Sequence, residues 1–271
     1  MGERRKLTGV VTSILLFVIV FILWQIYDIV MLQVTLPLLL THLLYLSIPG
    51  ISLVVFAVFV VVTGSSFKGH GYMRPVGIGF SKCLLLSCLF AAIYVFATLA
   101  QGVFGNFGTA NFPTEPYQLI FRLALAVIFA VASESIFRGY ILRNLVRKYG
   151  FFSSLYASSI LFSLHNLSLT TILAMSTHDI IIYIFTAIIP ALAAGIFFGF
   201  YFYKIGWSLL GPIAFRMIWL FFLEPLPLMS ASSPWWIALT FELMAFVILI
   251  FALEALIREP LVRRRRYGLE G

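Results

Sequence analysis

An acid and a base lie one helical turn apart near the end of a long apolar stretch, in residues 133–140 (SESIFRGY). Glu134 and Arg138 are spaced i and i+4 with the acid N-terminal, which is the favourable orientation for an ion pair on a helix. Charged groups at membrane depth are costly, so they are usually functional or paired. The pattern indicates either a structural ion pair or part of a catalytic centre built around a buried carboxylate.

Three further polar side chains interrupt apolar stretches downstream, namely His165, Arg216 and, more weakly, Glu242. Ionisable groups inside a membrane avoid lipid by facing each other or a water-filled cavity. We therefore expect His165 and Arg216 to converge with Glu134 and Arg138 in one cavity on the cytoplasmic half of the bundle. The alternative for His165 is a histidine that packs two helices together through a hydrogen bond.

Other catalytic and metal chemistry has little support in the sequence. A Ser133–His165 dyad lacks the glycine-rich surroundings that expose and activate a serine nucleophile. Cys83 and Cys88 lie in one apolar segment and indicate packing residues, not a disulfide framework or a metal site. A zinc site needs three or four convergent ligands, so we expect the remaining histidines to be loop or interface residues. They are His42, His70 and His178. No metal or other cofactor is expected.

The composition is that of an integral membrane protein. Of 271 residues, 62% are hydrophobic and only 10% are charged, which excludes an ordinary soluble domain. The net charge of +8 does not indicate nucleic acid, because the excess lies mostly at the two chain ends, in residues 4–6 and 263–266. Basic groups in those places suit membrane lipids, above all anionic ones.

Apolar stretches of about 20 residues predict an all-α polytopic protein with about eight transmembrane helices in a single domain over residues 1–271. The second stretch contains Pro49 and Gly50, which indicate a kink or a split. The sixth carries Ala191, Gly195 and Gly199, a small-residue ridge that predicts close helix packing. The predicted spans are 9–33, 37–64, 79–101, 117–137, 152–172, 181–203, 207–224 and 235–257.

The distribution of Lys and Arg orients the bundle. The loops at 102–116, 173–180 and 225–234 contain neither residue, whereas 65–78, 138–150, Lys204 and the C-terminal tail are basic. Because basic loops remain in the cytoplasm, both termini are expected there. Asp28 and Arg122 lie toward the opposite side, where we expect Asp28 to be interfacial and Arg122 to extend to the surface.

Three regions together resemble the CAAX-protease and bacteriocin-processing family of intramembrane endopeptidases. They are residues 133–142 (SESIFRGYIL), 158–167 (SSILFSLHNL) and 193–217 (AAGIFFGFYFYKIGWSLLGPIAFRM). The resemblance implies a family-like core at about 75–225, extra N-terminal helices at 9–64, and a C-terminal helix at 235–257 with a basic tail at 258–271. It also implies peptide-bond hydrolysis in a membrane cavity open to the cytoplasm.

The resemblance assigns Glu134, Arg138 and His165 to retained site positions, and Ser133, Arg216 and Leu220 to substituted ones. In the family pattern, the position of Ser133 is the glutamate that activates water. At the positions of Arg216 and Leu220, the family has a histidine and an asparagine that orient the water or stabilise the oxyanion. Phe162 precedes His165 by three residues, whereas the family's aromatic precedes by four. One residue turns a helix position by about 100°, so one of the two side chains must be displaced.

These substitutions leave enzyme activity uncertain, because a serine cannot serve as a general base at neutral pH. Arg216 would seek the nearest carboxylate, which is Glu134. The leading expectation is a divergent CAAX-type endopeptidase homologue with weak or lost activity that binds a prenylated or hydrophobic peptide. The alternative is a non-catalytic binder or scaffold for a lipidated peptide or another membrane protein. A transporter that uses these polar groups as a pathway is a third hypothesis, although no inverted repeat supports it.

Overall fold

The computed structural model describes residues 2–33, 37–72, 80–105, 116–223 and 235–257, and these contain helices but no strand. Eight helical segments follow in the order of the predicted spans. They are α1 (Gly2–Gln33), α2 (Leu38–Val62), α3 (Phe80–Gly105), α4 (Pro116–Tyr149), α5 (Phe151–His165), α6 (Thr177–Lys204), α7 (Leu210–Ile218) and α8 (Trp235–Leu256). The predicted all-α polytopic membrane architecture is confirmed.

Five of these helices are long and apolar enough to cross a membrane, namely α1, α2, α4, α6 and α8. Shorter apolar helices cover Phe80–Phe96, within α3, and Leu210–Phe222, which comprises α7 and most of a following π-helical turn (Trp219–Leu223). The fifth predicted span, 152–172, is too long, because α5 ends at His165 and a separate short helix follows at Leu169–Ala174. Ser168 caps that short helix by accepting a hydrogen bond from the Thr171 amide.

The second span was predicted to be kinked or split at Pro49; it is not split, since α2 runs through Pro49 without interruption. One further predicted boundary is wrong. The fourth span does not end at 137, because α4 continues to Tyr149 and ends only where Gly150 adopts a φ of 77°. Within α4, residues Ser135–Leu142 form a π-helix, which begins directly after Glu134. Such segments are rare and occur frequently at functional sites.

The small-residue ridge of α6 packs directly on α5, as predicted. A Cβ on Gly195 would lie 2.9 Å from the Ser159 Cβ, and one on Gly199 would lie 2.3 Å from a Leu155 methyl group. The cysteines form no disulfide: Cys83 is buried and Cys88 is exposed. Against this core, α3 packs on α7 and α8, while α2 packs on α4.

The bundle has two chemically distinct ends. The basic end carries the C-terminal part of α4 and the C-terminus of α6, with Arg143, Arg147, Lys148 and Lys204. The opposite end is formed by the C-terminus of α1 and the N-termini of α2 and α4. The basic tail at 258–271 and most of the loops at 102–116 and 225–234 lie outside the described residues.

Candidate functional site

Glu134 and Arg138 form a buried ion pair on one helix. The Arg138 Nε lies 3.3 Å from the Glu134 Oε2, and the side chains are 1% and 0% exposed, respectively. Arg138 also donates a hydrogen bond from Nη2 to the carbonyl of Gly195, at 3.2 Å. Gly195 lies on the ridge of α6, so the close helix packing brings that carbonyl within reach of the guanidinium.

Arg138 and Arg216 share the same two aromatic neighbours. The guanidinium carbon of Arg138 lies 4.3 Å from the ring centre of Phe162 and 5.3 Å from that of Phe198. For Arg216 the corresponding distances are 5.2 and 5.6 Å. Cation–π contacts of this kind stabilise a buried guanidinium without a carboxylate. Phe162 therefore faces the two arginines, although its spacing from His165 departs from the family pattern.

A cavity of about 920 Å³ lies beside this cluster. His165, Arg216 and Leu220 all line it, together with side chains from α1, α2 and α4. The His165 ring is buried against Trp24 and Phe137, with ring centres 5.5 and 5.4 Å away. Within the described part of the chain, neither Glu134 nor Arg138 belongs to the cavity lining.

Residues 115–222 match the family model described as Rce1-like, type II CAAX prenyl endopeptidase. Over this segment, which is less than half of the chain, the protein is similar to the CAAX protease family. The matched segment runs from the start of α4 through the π-helical turn after α7, and so contains the ion pair, His165 and Arg216. No curated protein and no solved structure matches the chain.

Ser133, which the resemblance assigned to the position of a water-activating glutamate, is not among the described residues that line the large cavity. Its hydroxyl donates a long hydrogen bond of 3.4 Å to the Ala130 carbonyl within α4. Ser133 and His165 instead line a separate small void of about 10 Å³. That volume is about the lower limit for one water molecule.

The four expected site residues are near neighbours, but they do not all open into one space. His165 and Arg216 line the cavity, whereas Glu134 and Arg138 are buried outside the lining formed by the described residues. Arg138 forms an ion pair with Glu134. The guanidinium of Arg216 packs against the rings of Phe162 and Phe198 at the cavity wall.

The cavity also lies at an unexpected end of the bundle. Its outer lining residues, which include Asp28, His42 and Gln118, belong to the end opposite the basic one. A cytoplasmic cavity and the orientation indicated by Lys and Arg therefore cannot both hold. The spacing of polar residues in the sequence does not predict at which end of the bundle the cavity lies, because it does not reveal where along the helices their packing leaves space.

Several cavity residues come from helices that sequence reasoning left aside. Trp24 and Gln25 of α1 lie in the cavity wall. The side chain of Gln25 connects α1 to the segment after α5. Its Nε2 donates to the Leu167 carbonyl at 2.7 Å, and its Oε1 accepts from the Leu169 backbone amide at 2.9 Å. His42, expected at an interface, stacks on Phe121 at 4.5 Å in the cavity wall. No sequence signal distinguishes these residues.

Arg122 does not simply extend to the surface as expected. It donates hydrogen bonds of 2.9 Å to the carbonyls of Phe221 and Leu220, at the end of the helical segment that follows α7. A cation is favourable at the carbonyl end of a helix, where the last carbonyls generally lack partners within the helix. Arg122 thereby connects α4 to the Leu220 position of the cavity wall.

At the basic end, the turn Phe67–Tyr72 folds into the bundle, which the sequence did not predict. The His70 ring is buried, stacks on Tyr140 with a centre separation of 4.9 Å, and bonds through Nδ1 to the Gly139 carbonyl at 2.9 Å. Burial is the main cause that lowers the pKa of His70, to about 4, and the nearby charges of Arg147 and Arg143 lower it further. The hydrogen bond to the Gly139 carbonyl raises this pKa and offsets part of the effect. His70 is therefore neutral at physiological pH.

The described residues contain no cluster of three or more histidine, cysteine or acidic side chains that could hold a metal ion. The chemistry available at the site is that of a buried ion pair, an imidazole, and a guanidinium at the wall of an aromatic cavity.

Proposed function

We propose that this protein binds a hydrophobic or lipidated peptide in its membrane cavity and hydrolyses it weakly or not at all. The observation that carries this proposal is the separation of Glu134 from the cavity. Its carboxylate is fully buried and paired with Arg138, whereas the cavity wall presents Arg216 and Leu220.

Hydrolysis requires a base that contacts a water molecule beside the scissile bond. Ser133 has no basic group, and the permanent charge of Arg216 prevents it from accepting a proton. Glu134 is the remaining carboxylate of the motif, and its use as a base would require the ion pair to open in an apolar setting. Breaking such a pair typically costs about 3–5 kcal/mol, which would slow the reaction by orders of magnitude.

Binding, in contrast, needs only the cavity itself. A volume of about 920 Å³ is within the usual range for ligand sites. Its wall combines aromatic surface with a few polar groups, the usual composition of such sites. The His165 imidazole and the Arg216 guanidinium in the wall offer hydrogen-bond donors or charge to a bound peptide.

The proposal is tested with detergent-purified protein and a fluorescent farnesylated peptide, by measuring cleavage and binding in parallel. We expect little or no cleavage but saturable binding. Leu220→Trp should weaken binding because it fills part of the cavity. Leu123→Trp on the exposed surface of α4 is the matched control and should bind normally. Robust cleavage that is lost in Glu134→Gln protein shown to remain folded would identify Glu134 as a catalytic base. Absence of both cleavage and binding would favour the scaffold alternative.

A further inference from the structure

We infer that the protein holds an anionic phospholipid at the basic end of the bundle, where the turn Phe67–Tyr72 meets the end of α4. The phosphate of the lipid headgroup would bind to a basic cluster that consists of Lys68, Arg143, Arg147 and Lys148. These four residues are not among those that line the large cavity, so the site is separate from it. The inference does not depend on the proposed peptide binding.

The basic cluster combines two parts of the chain that hydrogen bonds hold together. Three of its cations lie on the last turns of α4, and Lys68 lies on the turn Phe67–Tyr72. Arg143 donates a hydrogen bond to the carbonyl of Gly69, the residue after Lys68. The same turn bonds to the Gly139 carbonyl and packs tightly on Gly139 itself. Lys68 is therefore held next to the cations of α4.

The cations of the cluster are accessible to a ligand. Lys68, Arg147 and Lys148 are exposed, and within the described part of the chain none of the three forms an ion pair. Arg147 donates a long hydrogen bond of 3.4 Å to the neutral Oδ1 of Asn144. Because like charges in one cluster repel each other, an anion bound between them is stabilised. A phosphate suits these groups, since guanidinium and ammonium donate charge-assisted hydrogen bonds to its oxygens.

The first turns of α1 bring further basic residues to the same place. A Cβ on Gly9 would lie 3.6 Å from the Cβ of Asn144, so α1 packs on the last turns of α4 there. Residues 4–6 (RRK) lie about one helical turn before Gly9, and Glu3 is the one acid in this stretch of the sequence. The excess of positive charge is therefore not confined to the four residues of the cluster.

An apolar surface suited to lipid tails adjoins the cluster. Val54, Val58 and Val61 recur on one face of α2, and each is more than half exposed. The turn that carries Lys68 follows α2 after a short connection. Tyr149, which is half exposed beside Lys148, is of a residue type enriched at membrane–water interfaces. Acyl chains can lie along the valines while the headgroup contacts the cations, which favours a phospholipid over a soluble phosphate.

The inference is tested by titrating detergent-purified protein with fluorescently labelled phosphatidylglycerol. The triple variant Lys68→Gln, Arg147→Gln, Lys148→Gln removes the three exposed cations. Each basic residue near an anionic headgroup contributes about fivefold to binding, so the triple variant should bind roughly a hundredfold more weakly than the native protein. Unchanged binding would overturn the site.

A matched control removes the same number of charges outside the cluster. It is the triple variant Lys82→Gln, Arg263→Gln, Arg264→Gln. Lys82 is exposed at the start of α3, a helix that packs on α7 and α8, and the two arginines belong to the C-terminal tail. This variant should bind phosphatidylglycerol as the native protein does. Equal weakening by the two triple variants would show general attraction by the net charge and would overturn a specific site.

A charge-conserving variant separates loss of charge from loss of fold. Lys68→Arg, Arg147→Lys, Lys148→Arg keeps all three cations, so it should retain most of the binding that the glutamine variant loses. Thermal unfolding in detergent shows whether each variant is folded. Equal loss of binding in the folded charge-conserving and glutamine variants would refute recognition by charge.

Competition distinguishes the possible sources of the phosphate. Unlabelled phosphatidylglycerol should displace the labelled lipid, whereas phosphatidylcholine, whose headgroup is neutral overall, and inorganic phosphate should displace it poorly at the same concentration. Equal displacement by phosphatidylcholine would assign the site to acyl-chain contacts. Equal displacement by inorganic phosphate would assign it to a soluble anion, and either result would overturn the anionic phospholipid.

Discussion

Arg138 neutralises Glu134 from one helical turn away, and both side chains are buried outside the lining of the cavity formed by the described residues. The arrangement keeps an acid and a base in the interior as a neutral unit. It also removes from the cavity the carboxylate that a glutamate-dependent hydrolase would need there.

Glu134→Gln should strongly destabilise the protein, because it leaves the Arg138 charge buried without its counter-ion. Loss of one partner of a buried pair typically costs about 3–5 kcal/mol. Thermal unfolding in detergent measures the effect. The comparison is Glu254→Gln, which removes a carboxylate that is 52% exposed. Its partner Lys204 is 4% exposed but keeps a hydrogen bond to the Ile257 carbonyl, so this variant should lose less stability than Glu134→Gln. Equal effects of the two substitutions would contradict a stabilising role for the buried pair.

Ser133→Glu combined with Arg216→His should produce detectable cleavage of a farnesylated peptide. The double variant restores a base and a neutral hydrogen-bonding group at two family positions, while Leu220 still lacks the amide, so activity should remain low. Ser133→Glu alone should do less, since the Arg216 charge would lower the basicity of the new carboxylate. Ser133→Gln with Arg216→His is the control, because an amide cannot accept the proton. Equal cleavage by that control would refute the base assignment.

Gly195→Ala should lower the unfolding temperature, because the new methyl group would lie 2.9 Å from the Ser159 Cβ and 3.0 Å from its Cα. Backbone cannot move aside cheaply, so a cost of about 1–3 kcal/mol is expected. Gly50→Ala is the matched control: nothing lies within 4 Å of its added Cβ. Alanine favours a helix interior by up to about 1 kcal/mol, so this variant should be neutral or stabilised. A stabilised Gly195→Ala protein would show that α5 and α6 pack less tightly than described.

Acidification should destabilise the turn Phe67–Tyr72 through protonation of His70. Its pKa is about 4 in the folded protein and about 6.5 when unfolded, so the unfolded chain binds the proton more tightly. The associated stability is complete above pH 6.5 and decreases as the pH falls toward 4. His70→Gln removes the titration while keeping a hydrogen-bond donor for the Gly139 carbonyl. The unfolding temperature of the native protein should therefore fall more steeply between pH 6.5 and 4 than that of the variant. Parallel curves would show that His70 is not protonated on unfolding.

Several features follow from the sequence because they depend on residues close together in the chain. Eight apolar stretches predict the order of the helices, since each must satisfy its own backbone hydrogen bonds in lipid. The i, i+4 spacing of Glu134 and Arg138 predicts their ion pair. The ridge containing Gly195 and Gly199 predicts a tight helix contact, because only small residues allow backbones so close.

Other features were decided only by tertiary structure. His70 was expected in a loop and is buried, because Gly139 on another helix leaves room for its turn. Glu134 and Arg138 were expected to face the cavity, but both lie outside the lining formed by the described residues. The end at which the cavity opens was also not predictable. The physical reason is that the helices are apolar on every face, since lipid and protein interior are equally apolar. Hydrophobic periodicity therefore cannot indicate which face turns inward, and only the packing of neighbouring helices determines it.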